Sequence, residues 1–280
     1  MSRGVAMEKK IVQFGKQLYQ RMEEVDVFGL AAQLAYFFLL SLFPFLLFLV
    51  TLVGYLPIDE LAILDIIATY APPQIVELIT SNVTQLIRQQ NGGLLSFGII
   101  ATLWAASNGV NSLMRGFNHA YEVEENRSFI VSRLIAIVLT IAMVAVMIIA
   151  LLLPVFGRTL GIYLFSFVGL SEGFVSVWET LRWVVSSVVF FIVFLALYKL
   201  APNKRIYFKN AIPGALFATI SWQLASLGFS YYVSTIGNYS ATYGSLGAVI
   251  VLMIWFYLSG IIIMTGGLIN SVIRKNRLLE

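Results

Sequence analysis

The sequence predicts an all-α, polytopic membrane protein with six transmembrane helices. Hydrophobic residues make up 59% of the chain and charged residues 11%, whereas soluble domains average about 45–50% and about 25%. Residues 28–56 contain no Asp, Glu, Lys or Arg. A helix of that length extends about 43 Å, and the hydrocarbon core of a bilayer is about 30 Å thick. This stretch is therefore the first predicted transmembrane helix.

Pro44 lies in the middle of this first helix, where its ring removes a backbone hydrogen bond and predicts a kink near Phe43. The hydroxyl of Ser41 is expected to satisfy a carbonyl that the kink frees.

Apolar residues recur at helical spacing through residues 8–27. They predict an amphipathic helix on the membrane surface, with a solvated tail helix as the alternative.

Five further spans are predicted. They are residues 94–114 (continuing towards Tyr121), 130–156, 181–200, from after Pro213 to about residue 232, and 246–273. Residues 58–93 are too polar to span and predict two short amphipathic helices that form an extracytoplasmic cap. Residues 159–170 are apolar but too short to cross, so an interfacial or re-entrant piece is expected. The chain thus divides into a cytoplasmic segment (1–27), a transmembrane domain (28–273) and a basic tail (274–280).

The distribution of basic residues predicts the orientation, because Lys and Arg are retained on the cytoplasmic side. Six spans place both termini on one side, together with the connections after the second and fourth spans. That side carries 15 of the 18 Lys and Arg residues, and only Arg88, Arg158 and Arg182 are left for the other. Both termini are therefore expected in the cytoplasm. No internal repeat supports an inverted-repeat transporter.

Three stretches carry a family resemblance: AAQLAYFFLLSLFPFLL in the first span, LWAASNGVNSLMRGFNHAY in the second, and YGSLGAVIVLMIW at the start of the sixth. They resemble the YihY/BrkB family of bacterial inner-membrane proteins. The resemblance implies a six-helix protein of the bacterial plasma membrane, described as a transporter or an envelope factor. An older label, ribonuclease BN, has accompanied the family. The family also implies an acidic residue in a Gly-Ala-Glu-Leu-Asn-like motif, but residues 266–270 here read Gly-Gly-Leu-Ile-Asn.

Four polar residues on the second span form the most informative pattern for function. At 100° per residue they fall within about 80° of arc, a stripe that enters the membrane from the cytoplasm. Its members are Asn108, Asn111, Arg115 and Asn118. We expect the stripe to face protein or water and Arg115 to meet a phosphate or carboxylate head group. The alternative is hydrogen bonding between helices with a snorkelling arginine.

Other polar residues are candidates for the same cavity. Three of them are amides that the prediction puts within or near the hydrocarbon core: Gln33, Gln223 and Asn270. Each also fits a purely structural role. A tyrosine-rich connection precedes the sixth span, and its Tyr239 and Tyr243 are candidates for the mouth of a polar cavity. The alternative for these tyrosines is the aromatic belt found at membrane interfaces.

Several classes of chemistry are disfavoured. The chain has no cysteine and one histidine, so thiolate nucleophiles and clusters of Cys or His metal ligands are excluded. The six apolar cores contain no Asp or Glu, which argues against classical proton or sodium coupling. No P-loop motif is present. We expect no cofactor or metal and no nucleic-acid partner. The expected partners are membrane lipids and an amphiphilic solute, with a homo-oligomer left open.

Three hypotheses follow. The first is a protein that moves or handles an amphiphilic, lipid-like solute without carboxylate ion coupling. The second is a non-catalytic envelope scaffold whose polar residues only hold helices together. The third, a ribonuclease, is disfavoured because metal-dependent hydrolysis needs clustered carboxylates or histidines on an aqueous surface. The candidates for such a cluster are His119, Glu122, Glu124 and Glu125, in one short connection.

Overall fold

The computed structural model describes residues 2–53, 55, 91–145, 173–235 and 246–279. Those residues form seven helices and no strand, which confirms the all-α prediction. The helices are α1 Ser2–Glu24, α2 Val27–Val53, α3 Gly92–Ala120, α4 Phe129–Ala145, α5 Gly173–Leu200, α6 Phe208–Thr235 and α7 Leu246–Leu279. The predicted cap helices, the interfacial piece at 159–170, the second half of the third span and the tyrosine-rich connection lie outside the described residues.

Four of these helices contain segments long and apolar enough to cross a membrane. They are Val27–Phe48, Gly92–Ala120, Phe208–Val233 and Val249–Arg277. Two shorter apolar helices, Phe129–Ala145 and Val184–Leu200, coincide with the predicted third and fourth spans. The protein is therefore a membrane protein, and the total of six crossings stays a prediction.

The chain forms two compact units, one of residues 37–106 and one of residues 1–36 with 107–280. In the smaller unit, the second half of α2 packs against the first half of α3. A Cβ added to Gly98 would lie 2.9 Å from the Cα of Phe48. This glycine therefore permits a close approach of the two backbones, as small residues do in membrane helix packing.

Helix α2 continues through Pro44 to Val53, so the proline does not end it. The expectation for Ser41 is wrong in detail. Its Oγ donates to the carbonyl of Phe38 at 2.7 Å, whereas the carbonyl that Pro44 frees belongs to Leu40. A helical serine reaches the carbonyl three or four residues before it, and Leu40 directly precedes Ser41. The predicted kink stays a prediction.

The break between α1 and α2 is set by Asp26, whose φ of 54° lies in the left-handed region. Its Oδ1 accepts a hydrogen bond from the backbone N–H of Gly29 at 3.1 Å, which caps the start of α2.

Helix α1 begins at Ser2, earlier than the predicted residue 8. Along α1, Leu18 and Met22 are half-buried, and the Nδ2 of Asn276 on α7 donates to Oε1 of Gln17 at 3.1 Å.

The core of the larger unit lies where α3, α5 and α6 pack against α7. Phe117, Tyr198 and Leu268 are among its fully buried side chains. The hydroxyl of Tyr198 donates to the carbonyl of Ile263 at 2.8 Å, and its ring meets that of Phe117 edge to face at 5.5 Å between centroids. Leu268, where the family resemblance implies an acid, is therefore packed inside this core.

Helix α6 begins at Phe208 and runs through Pro213, so the predicted start after that proline is wrong. A side chain of α7 bonds the backbone beside this proline. Asn270 Oδ1 accepts from the backbone N–H of Gly214 at 2.7 Å, and its Nδ2 donates to the carbonyl of Ala211 at 3.2 Å. The carbonyl that loses its N–H partner to Pro213 belongs to Lys209, so Asn270 holds the backbone on either side of the proline without replacing the lost bond.

Candidate functional site

The α3 stripe (Asn108, Asn111, Arg115 and Asn118) extends along the second half of one helix. Asn108 is half-buried, and its Oδ1 accepts a hydrogen bond from Nη1 of Arg133 on α4 at 2.6 Å. Arg133 itself is 9% exposed. Asn111 is half-buried and has no hydrogen-bond partner among the described residues. A second guanidinium group, contributed by the neighbouring helix α4, therefore lies beside the α3 stripe.

Arg115 is exposed and lies five residues before the end of α3. Its Nη2 donates to Oε1 of Gln33 on α2 at 2.9 Å. Within the described part of the chain, Arg115 forms no ion pair. A guanidinium has five N–H donors, so this one bond to a neutral carboxamide fixes its direction and leaves donors for an anionic group.

Asn118 is buried, and both ends of its carboxamide are used inside the protein. Its Nδ2 donates to Oε2 of Glu125 at 2.8 Å, and its Oδ1 accepts from the backbone N–H of Asn203 at 2.6 Å. It joins the α3–α4 connection to the α5–α6 connection. The described contacts of Asn118 therefore all lie within the protein, between two of its connections.

Arg127 completes this junction, which we call the connection clamp (Asn118, Glu125, Arg127 and Asn203). Its Nε donates to Oδ1 of Asn203 at 3.1 Å and its Nη1 to the carbonyl of Ala201 at 3.2 Å, while Nη2 donates to the carbonyl of Pro202. Asn203 in turn donates through Nδ2 to the carbonyl of Glu124 at 2.8 Å. The clamp holds the two connections in a fixed relation.

The other predicted amides do not all join the stripe. Gln33 does, through Arg115. Gln223 donates to the hydroxyl of Ser187 on α5 at 2.8 Å, and Asn270 is fully buried at the α6–α7 contact. The described contacts of these last two therefore lie between neighbouring helices. Tyr239 and Tyr243 lie outside the described residues.

The acidic connection after α3 has a local structure that sequence reasoning missed. Glu122 has a φ of 54°, its N–H donates to the carbonyl of His119, and the N–H of Val123 donates to the carbonyl of Asn118. This is the Schellman pattern that ends many helices, with a glutamate where glycine is usual. His119, Glu124 and Glu125 are exposed, and no group of three or more potential metal ligands occurs in the described part of the chain.

Glu122 links three elements through its side chain. Its Oε1 pairs with Nη2 of Arg21 on α1 and with Nζ of Lys275 on α7, the latter at 3.1 Å. Hydrogen bonds from Arg21 and then Lys275 hold the pKa of the Glu122 carboxyl below its ordinary value. The same pairing raises the pKa of Arg21. A polar cleft of about 450 Å³ lies beside these residues, lined also by Gln17, Gln20, Glu24, Val272 and Asn276.

Arg127 and Arg133 entered the predicted orientation only through their positive charge. One signal for Arg133 was present: an arginine near the start of a predicted span must find a partner or reach the interface. The residues that Arg127 contacts carried no signal, because Ala201, Pro202 and Asn203 are more than seventy positions away in the sequence.

A family model described as "Virulence factor BrkB" matches residues 18–280. The chain belongs to the BrkB family. The YfkH protein of Bacillus subtilis (strain 168), described as ribonuclease-like, is 56% identical over 266 residues, covering 95% of this chain and 97% of that protein. A UPF0761 membrane protein of Vibrio atlanticus (strain LGP32) is 26% identical over 266 residues, covering 94% of this BrkB chain and 82% of its own. No solved structure matches this BrkB protein.

Proposed function

We propose that this BrkB protein crosses the bacterial plasma membrane six times, with both termini in the cytoplasm, and moves an amphiphilic solute whose polar head group binds the α3 stripe. The connection clamp supports this topology, because it joins two connections that six crossings put on the same side. Ser271 near the end of α7 donates to the carbonyl of Ala120 at the end of α3, as expected for two helices that run in the same direction.

The observation that carries the proposal is the environment of Arg115. It is an exposed cation on a helix apolar enough to cross a membrane, and Gln33 is its hydrogen-bond partner. Five residues of helix correspond to about 7.5 Å, and with the end of α3 at the membrane surface the proposal puts the guanidinium just inside the head-group region. A charge at that depth is stabilised by an anion or by water, and a lipid phosphate fits its planar fork of donors.

The neighbouring groups define the chemistry of the solute. Asn111 lies one turn further into the span and offers an uncharged donor and acceptor. Arg133 adds a second cation, held by Asn108. Amides and guanidinium groups in this order favour an acidic or phosphorylated head group, while the apolar faces of α2 and α3 suit its hydrocarbon part.

The experiment is lipid translocation in proteoliposomes. Vesicles contain a phosphatidylglycerol with a fluorophore on its acyl chain, and back-extraction with albumin measures how much probe reaches the outer leaflet. We expect wild-type protein to accelerate exchange over protein-free vesicles and Arg115→Gln to slow it at least tenfold, because a charge-assisted bond is lost. Arg115→Lys should retain part of the rate, since it keeps the charge without the fork.

Arg277→Gln is the matched control. It removes the same charge from an exposed position in the basic tail and should translocate probe at the wild-type rate. The proposal fails for anionic phospholipids when wild-type vesicles exchange probe no faster than empty ones. It fails equally when Arg115→Gln and Arg277→Gln behave alike.

An envelope scaffold is the second candidate, and one observation favours it. Asn118, Gln223 and Asn270 each use their carboxamides in bonds between elements of the protein. A scaffold predicts that conservative changes at Asn111 and Arg115 leave envelope integrity unchanged while protein levels hold. Loss of integrity at normal abundance of Arg115→Gln counts against it.

The ribonuclease description belongs to the Bacillus subtilis relative, and we propose no nuclease activity for this chain. The acids after α3 have other contacts, with Glu122 paired to two cations and Glu125 within the clamp. RNA cleavage by highly purified protein that disappears in Glu124→Ala would overturn this position.

A further inference from the structure

We infer that the α5–α6 connection and its flanking residues bind the phosphate groups of anionic phospholipids, at a surface separate from the α3 stripe. We call this surface the basic platform. It consists of Lys199, Lys204, Arg205, Tyr207, Phe208 and Lys209. The inference concerns a standing contact with the surrounding lipid and does not require that any solute is moved.

The charge of the basic platform has no counterpart nearby in sequence. Lys204, Arg205 and Lys209 are exposed, and within the described residues none of the three forms an ion pair. Residues 181–279 contain no Asp or Glu. The nearest acids described are Glu124 and Glu125, on the connection that the clamp joins to Asn203, and neither forms an ion pair with these cations. Several cations without an ion-pair partner on one short connection repel one another, and phosphate groups of an anionic membrane reduce that cost.

Two aromatic side chains indicate the level of the membrane at which the basic platform lies. Tyr207 is 61% exposed and Phe208 is 56% exposed, and the apolar segment of α6 begins at Phe208. Exposed aromatic residues at the end of a membrane span belong at the level of the head groups. The Nζ of Lys199 lies 3.4 Å from the centroid of the Phe208 ring, which directs one more cation to the same level.

The connection is also anchored to the rest of the protein by burial and hydrogen bonds, unlike a solvated basic loop. Ala201, Pro202 and Ile206 within it are buried, and Arg127 of the connection clamp donates to the carbonyls of Ala201 and Pro202. A fixed backbone holds the cations close together before binding. Binding therefore costs less conformational entropy than it would for a flexible tail.

RNA is the competing anion, since basic and aromatic residues also bind single-stranded nucleic acid. The position of Tyr207 and Phe208 at the start of an apolar span favours lipid. Their neighbours on the next turn of the exposed face of α6 are apolar, among them Ile212 and Leu216, which are 38% and 48% exposed. Acyl chains cover such a face, and RNA does not.

The test is lipid binding by native mass spectrometry. Delipidated full-length protein in detergent is mixed with equal amounts of phosphatidylglycerol and phosphatidylcholine, and the bound lipids are counted. The variant carries Lys204→Gln, Arg205→Gln and Lys209→Gln. Each basic residue near an anionic surface contributes roughly fivefold to binding, so the affinity for phosphatidylglycerol should fall at least tenfold, with phosphatidylcholine unchanged.

Two further variants complete the design. Lys204→Arg, Arg205→Lys and Lys209→Arg keep the charge and should bind as wild type does. Lys9→Gln, Lys10→Gln and Lys16→Gln remove the same charge from α1 and should reduce binding less than the platform variant does. Equal losses in the two neutralised variants overturn the inference, as does wild-type binding by the variant of the platform. Platform-dependent binding of a short RNA, with no preference for phosphatidylglycerol, also overturns it.

Discussion

Glu122 occupies a backbone conformation that is unfavourable for its residue type. A non-glycine residue in the left-handed region costs roughly 1–2 kcal/mol, and glycine is usual at this position of a Schellman motif. The cost is offset because the side chain binds Arg21 and Lys275 and so connects α1 with α7. A glycine here would relax the turn and lose this connection.

The pKa of Glu122 gives a prediction for acid conditions. The carboxyl has a lowered pKa in the folded protein, so its contribution to stability is present above the ordinary glutamate value of about 4.3 and is lost as the pH falls through the folded value. Amide exchange in α1, corrected for its intrinsic pH dependence, should therefore accelerate as the pH falls below about 4.3. At pH 7, Glu122→Gln should accelerate it up to about fivefold, since exposed ion pairs contribute about 0.2–1 kcal/mol.

Glu124→Gln is the control, because Glu124 is exposed and its carboxylate forms no ion pair among the described residues. Hydrogen exchange with mass spectrometry reports α1 and α7 separately. Unchanged α1 protection in Glu122→Gln at pH 7 would show that the ion pairs do not hold this helix.

At the level of elements, the backbones of α6 and α7 approach each other closely at two glycines. A Cβ on Gly214 would overlap the carbonyl oxygen of Gly266, and one on Gly266 would lie 2.9 Å from the carbonyl oxygen of Gly214. Backbones can approach this closely only where both residues lack a side chain. Asn270 then spans the contact with two hydrogen bonds.

Gly214→Ala should therefore destabilise the protein by about 1–3 kcal/mol, the usual cost of inserting a methyl group into a packed interior. Gly228→Ala on the same helix is the matched control, because a Cβ there has nothing within 4 Å. Alanine is the better helix former, so this variant should be neutral or up to about 1 kcal/mol more stable. Unfolding in detergent followed by intrinsic fluorescence measures both, and equal stability of the two variants would contradict the packing.

At the scale of the whole molecule, the connection clamp and Glu122 form hydrogen bonds and ion pairs between parts of the chain that the charge distribution assigns to one side. Arg127 connects the α3–α4 and α5–α6 connections, and Glu122 connects α1 and α7 to the end of α3. An even number of crossings between successive clamped parts is required for this arrangement. The contacts and the positive charges are therefore mutually consistent.

The topology is testable directly because the protein has no cysteine. Single-cysteine variants Ser2→Cys, Lys204→Cys and Arg277→Cys should resist a membrane-impermeant maleimide in intact cells and react after permeabilisation. Asn238→Cys, in the connection predicted on the outer side, should react in intact cells. Reaction of Ser2→Cys and Lys204→Cys from opposite sides would exclude the six-crossing arrangement.

The sequence by itself determined the helical membrane class, the approximate spans and the polar stripe on α3, because hydropathy and the helical period are local properties of the chain. It did not determine that α6 passes through Pro213, since the side chain that bonds the backbone on either side of this proline, Asn270, is 57 positions further along. Nor did it separate the exposed Arg115 from the buried Asn118 on the same stripe. Only the tertiary structure decided these points, because hydrogen bonds and burial depend on which distant helices become neighbours.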